Sequence, residues 1–414
     1  MNKNIIILMF LIISFIGTSA QTQGLDYYLK EGMENSPLLK DFQNQISSST
    51  LDSILVRAAQ KPLIEAKSQL QYSPVYKNFG YDEVITDGGN YQLVAGISQN
   101  IFNTRELENK FKGISIQKES ASNASKISEI DLKRVITNQY LASYSDYKSF
   151  SFNKSFLELM YNENEVVRQF VSNGIYKQTD YLLLLIETQG QEILVNQLTS
   201  QFKSDLRVLN QICGIISDVQ IYSLSIPLIE DMGMPDLARS PFILKYKLDS
   251  LKLVNEKMAI GIRYQPKVNW FADAGILTAT PLNFYKHIGY SVGLNLSIPL
   301  YDGKQKDYDL KKIALSESTR SYYVSNFKTK YNQQVSQLND ELKSMEQVLT
   351  QVEKQSVNSD QLVSMIKAQL NAGNVPMTDY INALKTSRNI NNSLIEIQIK
   401  IFQTINEINF LVSQ

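Results

Sequence analysis

The side chains that could do chemistry in this 414-residue chain are few. His287 is the only histidine and Cys213 the only cysteine, so neither a Cys/His metal site nor an internal disulfide can be assembled. No phosphate-cradling glycine loop and no nucleophile elbow occurs, which argues against an enzyme. What remains is a pair of matched triplets, Thr179-Asp180-Tyr181 and Thr378-Asp379-Tyr380, each a few residues after a glycine, Gly174 or Gly373. An aspartate there has two possible roles. It can be an acidic group favoured in the first turn of a helix. Alternatively, copies gathered about one axis can form an acidic ring that concentrates cations.

The elements that would position these aspartates are long helices. Prolines stand at 37, 62, 74, 227, 235, 241, 266, 281, 299 and 376, leaving 75–226 without one, and 304–372 contains neither Gly nor Pro. An uninterrupted helix over 304–372 would be roughly 100 Å long. Within it Tyr331, Val335, Leu338, Leu342, Met345, Leu349 and Val352 step 4-3-4-3-4-3, the spacing of a coiled-coil seam. On the following helix Leu394, Ile397, Ile401, Ile408 and Leu411 supply an apolar stripe.

Just ahead of the long helix, GYSVGLNLSIPLYDGK (289–304) alternates strictly. Tyr290, Val292, Leu294, Leu296, Ile298 and Leu300 share one parity, and Ser291, Gly293, Asn295 and Ser297 the other. Period two over that length matches a tilted membrane strand with one lipid-facing and one wet face. Trp270, the only tryptophan, falls on the apolar parity of the neighbouring strand, as expected of a lipid-facing or girdle aromatic.

Self-comparison organises the rest. Pro37 and Pro62 recur 204 residues later at Pro241 and Pro266, and Tyr91, Gly174 and Thr179-Asp180-Tyr181 recur 199 later. The chain reads as a tandem duplication. Repeat 1 is 21–213, with strands about 63–72 and 91–102 and helices 104–173 and 178–213. Repeat 2 is 241–414, with strands about 267–277 and 290–301 and helices 304–372 and 376–411. A mixed Gly/Pro/Met segment, 214–240, links them. A helix of about 25 residues precedes each strand pair (37–61, 241–265). Residues 1–20, with a lysine, an apolar run from Ile5 to Ile16 and a small-residue end at Ala20, read as a secretory signal peptide. That run is short of the ~18 residues a spanning anchor needs.

Lysine plus arginine equals aspartate plus glutamate at 41 each, which gives no bulk charge for nucleic acid. Four membrane strands cannot close on themselves, and an open edge in lipid leaves unpaired backbone groups, so chains must pool strands. A dimer would make eight, a trimer twelve.

LSIPLYDGKQ after the fourth strand, LRVLNQICG before the linker, and the turns NGIYKQTDYL (173–182) and AGNVPMTDYINAL (372–384), with the duplication, resemble the TolC-type outer-membrane efflux proteins over essentially the whole mature chain. The resemblance implies a mixed, mostly α fold. It would be a homotrimer in the cell outer membrane, with a 12-stranded β-barrel continuous with an α-helical barrel in the periplasm. The implied role is the exit duct of a tripartite efflux pump, with a periplasmic adaptor, an inner-membrane pump and no cofactor. A type I protein secretion channel is the alternative, and a periplasmic coiled-coil adaptor or scaffold the alternative of another class. Carried over by motif, Gly174, Ile175, Thr179, Asp180, Gly373, Asn374 and Thr378 would form the adaptor-contact turns. Asp379 matches the family's pore-tip aspartate, and Asn382 stands where some members have a second acid. Many members carry Val-Gly-Leu at the turns, where this chain has Asn173-Gly174-Ile175 and Ala372-Gly373-Asn374.

Overall fold

The computed structural model describes residues 24–77, 79–82, 88–101, 103–216, 223–230, 233, 237–280, 282 and 284–413. The expected signal peptide and Phe102, where the second strand was expected to end, lie outside them. Among the described residues seven α-helices and four strands follow in order: α1 (Leu25–Asn35), α2 (Pro37–Ala58), β1 (Leu63–Tyr72), β2 (Gly89–Ile101), α3 (Thr104–Ser172), α4 (Gln178–Cys213), α5 (Pro241–Arg263), β3 (Lys267–Thr278), β4 (Ile288–Ser297), α6 (Gln305–Asn371) and α7 (Met377–Val412). The order helix, strand, strand, long helix, shorter helix thus occurs twice. Between α4 and α5 the described residues hold only a short 3-10 turn, Leu237–Arg239.

Two compact units are present, and neither coincides with a sequence repeat, because each takes residues from both halves of the chain. The strand-bearing unit comprises Asp41–Ser125 and Pro241–Phe327. Its four strands form one antiparallel meander, β1-β2-β3-β4. The central pairing, β2 with β3, joins the two hairpins across the halves of the chain, with Ala95 opposite Ala274 and Ile101 opposite Val268. Register decides the faces. Ile64 lies opposite Ile97, Ile97 opposite Ala272, and Ala272 opposite Val292, so the apolar parity of every strand lands on one side. The other side carries Glu65, Lys67, Asn100, Asn269, Asp273 and Ser291, with Asn269 donating to Asn100 (2.9 Å) and Ser291 to Asp273 (2.8 Å). Phe271 on that polar side covers its partner Gly293, where a Cβ would stand 2.5 Å from the ring.

The helices of this unit follow the same order as the strands. Arg57 on α2 lies over Phe111 on α3, Asn109 on α3 donates to Asn255 on α5 (2.9 Å), and Arg320 on α6 donates to the Tyr246 carbonyl on α5 (3.4 Å). α2 and α6 are therefore the outer members, as β1 and β4 are the outer strands.

β4 departs from its expected extent. It ends at Ser297, four residues short of Tyr301, because Pro299 has no N–H for a ladder and restricts Ile298 before it. Ile298 and Leu300 thus lie beyond the sheet. Asp302 then starts α6 by accepting the Lys304 and Lys306 amides (2.9 and 2.8 Å). These bonds and the Tyr264 hydroxyl hold its carboxyl below the usual range, the tyrosine contributing most.

The second unit takes the chain up to Lys40, Lys126–Ser240, and the chain from Lys328. Both clusters of buried apolar side chains belong to it. One gathers Tyr28, Ile136, Tyr140, Phe202, Leu206 and Leu209; the other gathers Met160, Val167, Leu184, Leu370, Tyr380 and Leu384. Along α6 the covered stripe is the 4-3 series from Tyr331 through Val352, continuing as Ser356, Ser359, Val363, Ile366 and Leu370. Cys213 closes α4 fully buried, and Gly214 follows with φ of 66°. On α7, Ile395 and Ile399 are more deeply buried than the Leu394 and Ile397 of the expected stripe. Among the described residues no helix is long and apolar enough to cross a membrane.

Candidate functional site

The turns after α3 and α6 are built alike. At the first, Gly174 N–H donates to the Val171 carbonyl (3.0 Å) and Ile175 N–H to that of Phe170 (2.9 Å). At the second, Gly373 donates to Leu370 and Asn374 to Gln369, both at 2.9 Å. This paired pattern closes a helix whose C′ residue is left-handed. Gly174 and Gly373 have φ of 74° and 72°, with open space where a Cβ would be. A larger residue at either turn is thus opposed by backbone strain and not by crowding.

The two turns meet through one core. The Tyr176 hydroxyl donates to the Leu370 carbonyl (2.7 Å), and Tyr176, Val375 and Met377 join the cluster around Leu184 and Tyr380. α7 turns Met377, Tyr380, Ile381 and Leu384 into that core and leaves Thr378, Asp379, Asn382 and Thr386 exposed. Asp379 and Asn382, three residues apart, share that open polar face. Asp180 differs from Asp379: its carboxylate accepts the Lys177 amide (3.2 Å) and so caps the start of α4. Ile175 and Thr179 are exposed beside it.

Buried polar contacts that the sequence did not point to hold this region. Glu163 on α3 is nearly enclosed and pairs with Lys367 on α6 (2.5 Å). Tyr380 on α7 is hydrogen-bonded to the same carboxylate, and burial first, then Glu163, pushes its hydroxyl above the usual tyrosine range. One layer further along, Gln191 donates to Asn153 (3.0 Å), Asn153 to Asn392 (3.1 Å) and Arg388 to Gln191 (3.0 Å). Asn153 and Gln191 are each 1% exposed, and such satisfied amides fix register among packed helices. No spacing rule finds these partners, since they lie 38 and 239 residues apart.

In the strand-bearing unit, Val292, Leu294 and Leu296 stand on the apolar face of the edge strand with Trp270 opposite Leu294. Tyr290 is 87% and Val292 75% exposed. Trp270 is half-buried, and its indole donates to Gln99 (3.1 Å), so a polar pair sits within the apolar face.

Long helices, one small antiparallel sheet and paired glycine turns make up the fold. No protein-family model matches the sequence, and no curated protein matches it. Solved structures do. The chain superposes on CusC, reported for conformational changes accompanying folding and transmembrane channel formation, with a TM-score of 0.77 at 9% identity over 94% of this chain and 92% of that one. The outer membrane protein VceC of Vibrio cholerae gives 0.74 at 11% identity over 94% and 95%. The CmeC outer membrane channel of Campylobacter jejuni gives 0.73 at 10% over 94% and 85%. The resemblance to TolC-type outer-membrane channels carried by the sequence motifs is thus matched by the fold over 94% of the chain.

Proposed function

We propose that this chain is the outer-membrane exit duct of a tripartite efflux pump, passing small molecules from an inner-membrane pump to the exterior. The observation that carries the reading is the sheet. Its apolar side chains share one exposed face, its outer strands β1 and β4 are each paired along one edge only among the described residues, and leaving such a face in water forfeits about 1.5 to 3 kcal/mol per large side chain. Lipid against that face and further copies of the chain against β1 and β4 remove both costs.

In this reading three copies close a 12-stranded barrel continuous with an α-helical barrel in the periplasm. The helices support the same closure. The outer members α2 and α6 carry exposed Leu51, Ile54 and Leu55, and exposed Tyr308, Leu315 and Tyr322 at heptad spacing. The tandem duplication, with its linker at 214–240, supplies two near-equivalent hairpins per copy. Gly174, Ile175, Thr179, Asp180, Gly373, Asn374 and Thr378 form the surface met by the periplasmic adaptor, and Asp379 with Asn382 lines the narrowest part of the closed duct. The protein has no catalytic role in this scheme.

Purification decides it. The expected product is a detergent-dependent trimer that conducts ions in planar bilayers and co-purifies with an adaptor and a pump from cells. A soluble monomer recovered without detergent would sink the proposal.

A further inference from the structure

Asp146 on α3 and Asp205 on α4 place their carboxyl groups within hydrogen-bonding reach of each other, on facing helices and 26 and 27 residues from the turn between them. Asp146 Oδ2 is shut from solvent and meets no donor. Both residues are half-buried, and among the described residues no lysine or arginine pairs with either. Two carboxylates have four acceptor oxygens and no hydrogen to share, so contact between them requires one proton. We infer that Asp146 keeps a proton and donates it to the facing Asp205 carboxylate, a joint that tightens the α3–α4 hairpin while the proton is held and loosens it once the proton is lost.

The surroundings fit this. Burial, then hydrogen bonding to Asp205 and its charge, raise Asp146 from the ordinary 3.8 to about 7. The other titratable groups near the pair do not neutralise it. On α3 these are Tyr144, Tyr147 and the exposed Lys148; on α4 they are Lys203 and the exposed Arg207; on α7, which packs its Ile395 and Ile399 into the same core, Glu396 and Lys400 are exposed. On α1, packed against α4, Asp26, Lys30, Glu31 and Glu34 are the charged residues. Burial first, then Tyr147, also raises Tyr144, so no anionic tyrosine competes at neutral pH.

The sign follows from the raised value. Asp146 is protonated in folded and unfolded chains alike below about pH 4, so the joint is intact there. Between about pH 4 and 7 the unfolded carboxyl releases its proton while the folded one keeps it, and that difference weakens the fold until the folded group ionises too. Above that point two facing carboxylates repel across a half-buried contact.

The test compares melting temperatures of the detergent-solubilised protein and of Asp146→Asn, which donates to Asp205 at every pH. The expected result is a gap near zero below about pH 4 that opens to several degrees in favour of the variant above about pH 8, with Asp205→Asn behaving alike. A gap that does not change with pH, or one that favours the unaltered chain at high pH, overturns the inference. Should both variants fail to assemble, infrared spectroscopy of the unaltered protein decides. A protonated-carboxyl carbonyl band that persists to neutral pH and then disappears supports the retained proton, and its absence near pH 6 overturns it. Neither readout depends on what the duct carries or on its partners.

Discussion

Tyr28, Phe202 and Leu206 in the helical-turn unit have no exposed surface, while Tyr290, Val292 and Leu294 in the strand-bearing unit, no less apolar, stand open. The first unit finishes its core within one chain. The second has its apolar side chains on the outside of a sheet and the outer flanks of its helices, and neither buried cluster of the protein includes it. The difference teaches where folding information is spent. One unit satisfies its sequence by internal packing, and the other leaves an apolar face and two outer strand edges uncovered, which the proposed duct would cover with lipid and with copies of the chain.

Substitutions can break this contrast in order of size. Leu206→Ala, in the enclosed core, should cost about 2 to 5 kcal/mol in denaturant unfolding and lower the yield of folded protein. Leu296→Arg should cost about 2 to 4 kcal/mol of assembly if it lies near mid-bilayer, whereas Ser297→Arg, on the polar parity, should be milder. Measured by resistance of the reconstituted protein to unfolding, the opposite ranking would mean the faces are inverted. Gly373→Leu adds about 1 to 2 kcal/mol of backbone strain at a left-handed position, and it should leave a stable assembly that no longer retains the adaptor in a pull-down. Normal export by that variant would remove the turns from the contact surface. The smallest structural effect and the sharpest functional one belong to Asp379→Asn. It should reduce cation preference and block by multivalent cations in bilayer recordings, with Asp180→Asn changing less because that carboxylate already caps α4. Unchanged selectivity would make Asp379 an ordinary first-turn acid.

Properties that repeat along the chain were readable in the residues themselves. Alternation over 290–297 gave the faces of β4, the 4-3 series from Tyr331 gave the covered stripe of α6, and Gly174 and Gly373 marked turns whose positive φ only glycine adopts at little cost. Each is set by local geometry, a period of two or of about 3.6 residues, so a single sequence suffices. α1, eleven residues between the expected signal peptide and Pro37, was not among the expected elements although its apolar residues share one face. β4 was drawn too long because the alternation runs on through Ile298 and Leu300 while Pro299 ends the ladder.

What only the tertiary structure decided are contacts between residues far apart in the chain. The pairing of β2 with β3 joins the halves, Glu163 finds Lys367 and Tyr380, and Asn153 meets Gln191 and Asn392. The meeting of Asp146 with Asp205 is of the same kind. Asp, Asn and Gln on a helix read as solvated surface until a second helix covers them. Which helix does so depends on chain reversals at Gly174 and Gly373 and on the packing that follows, and no local period records that choice.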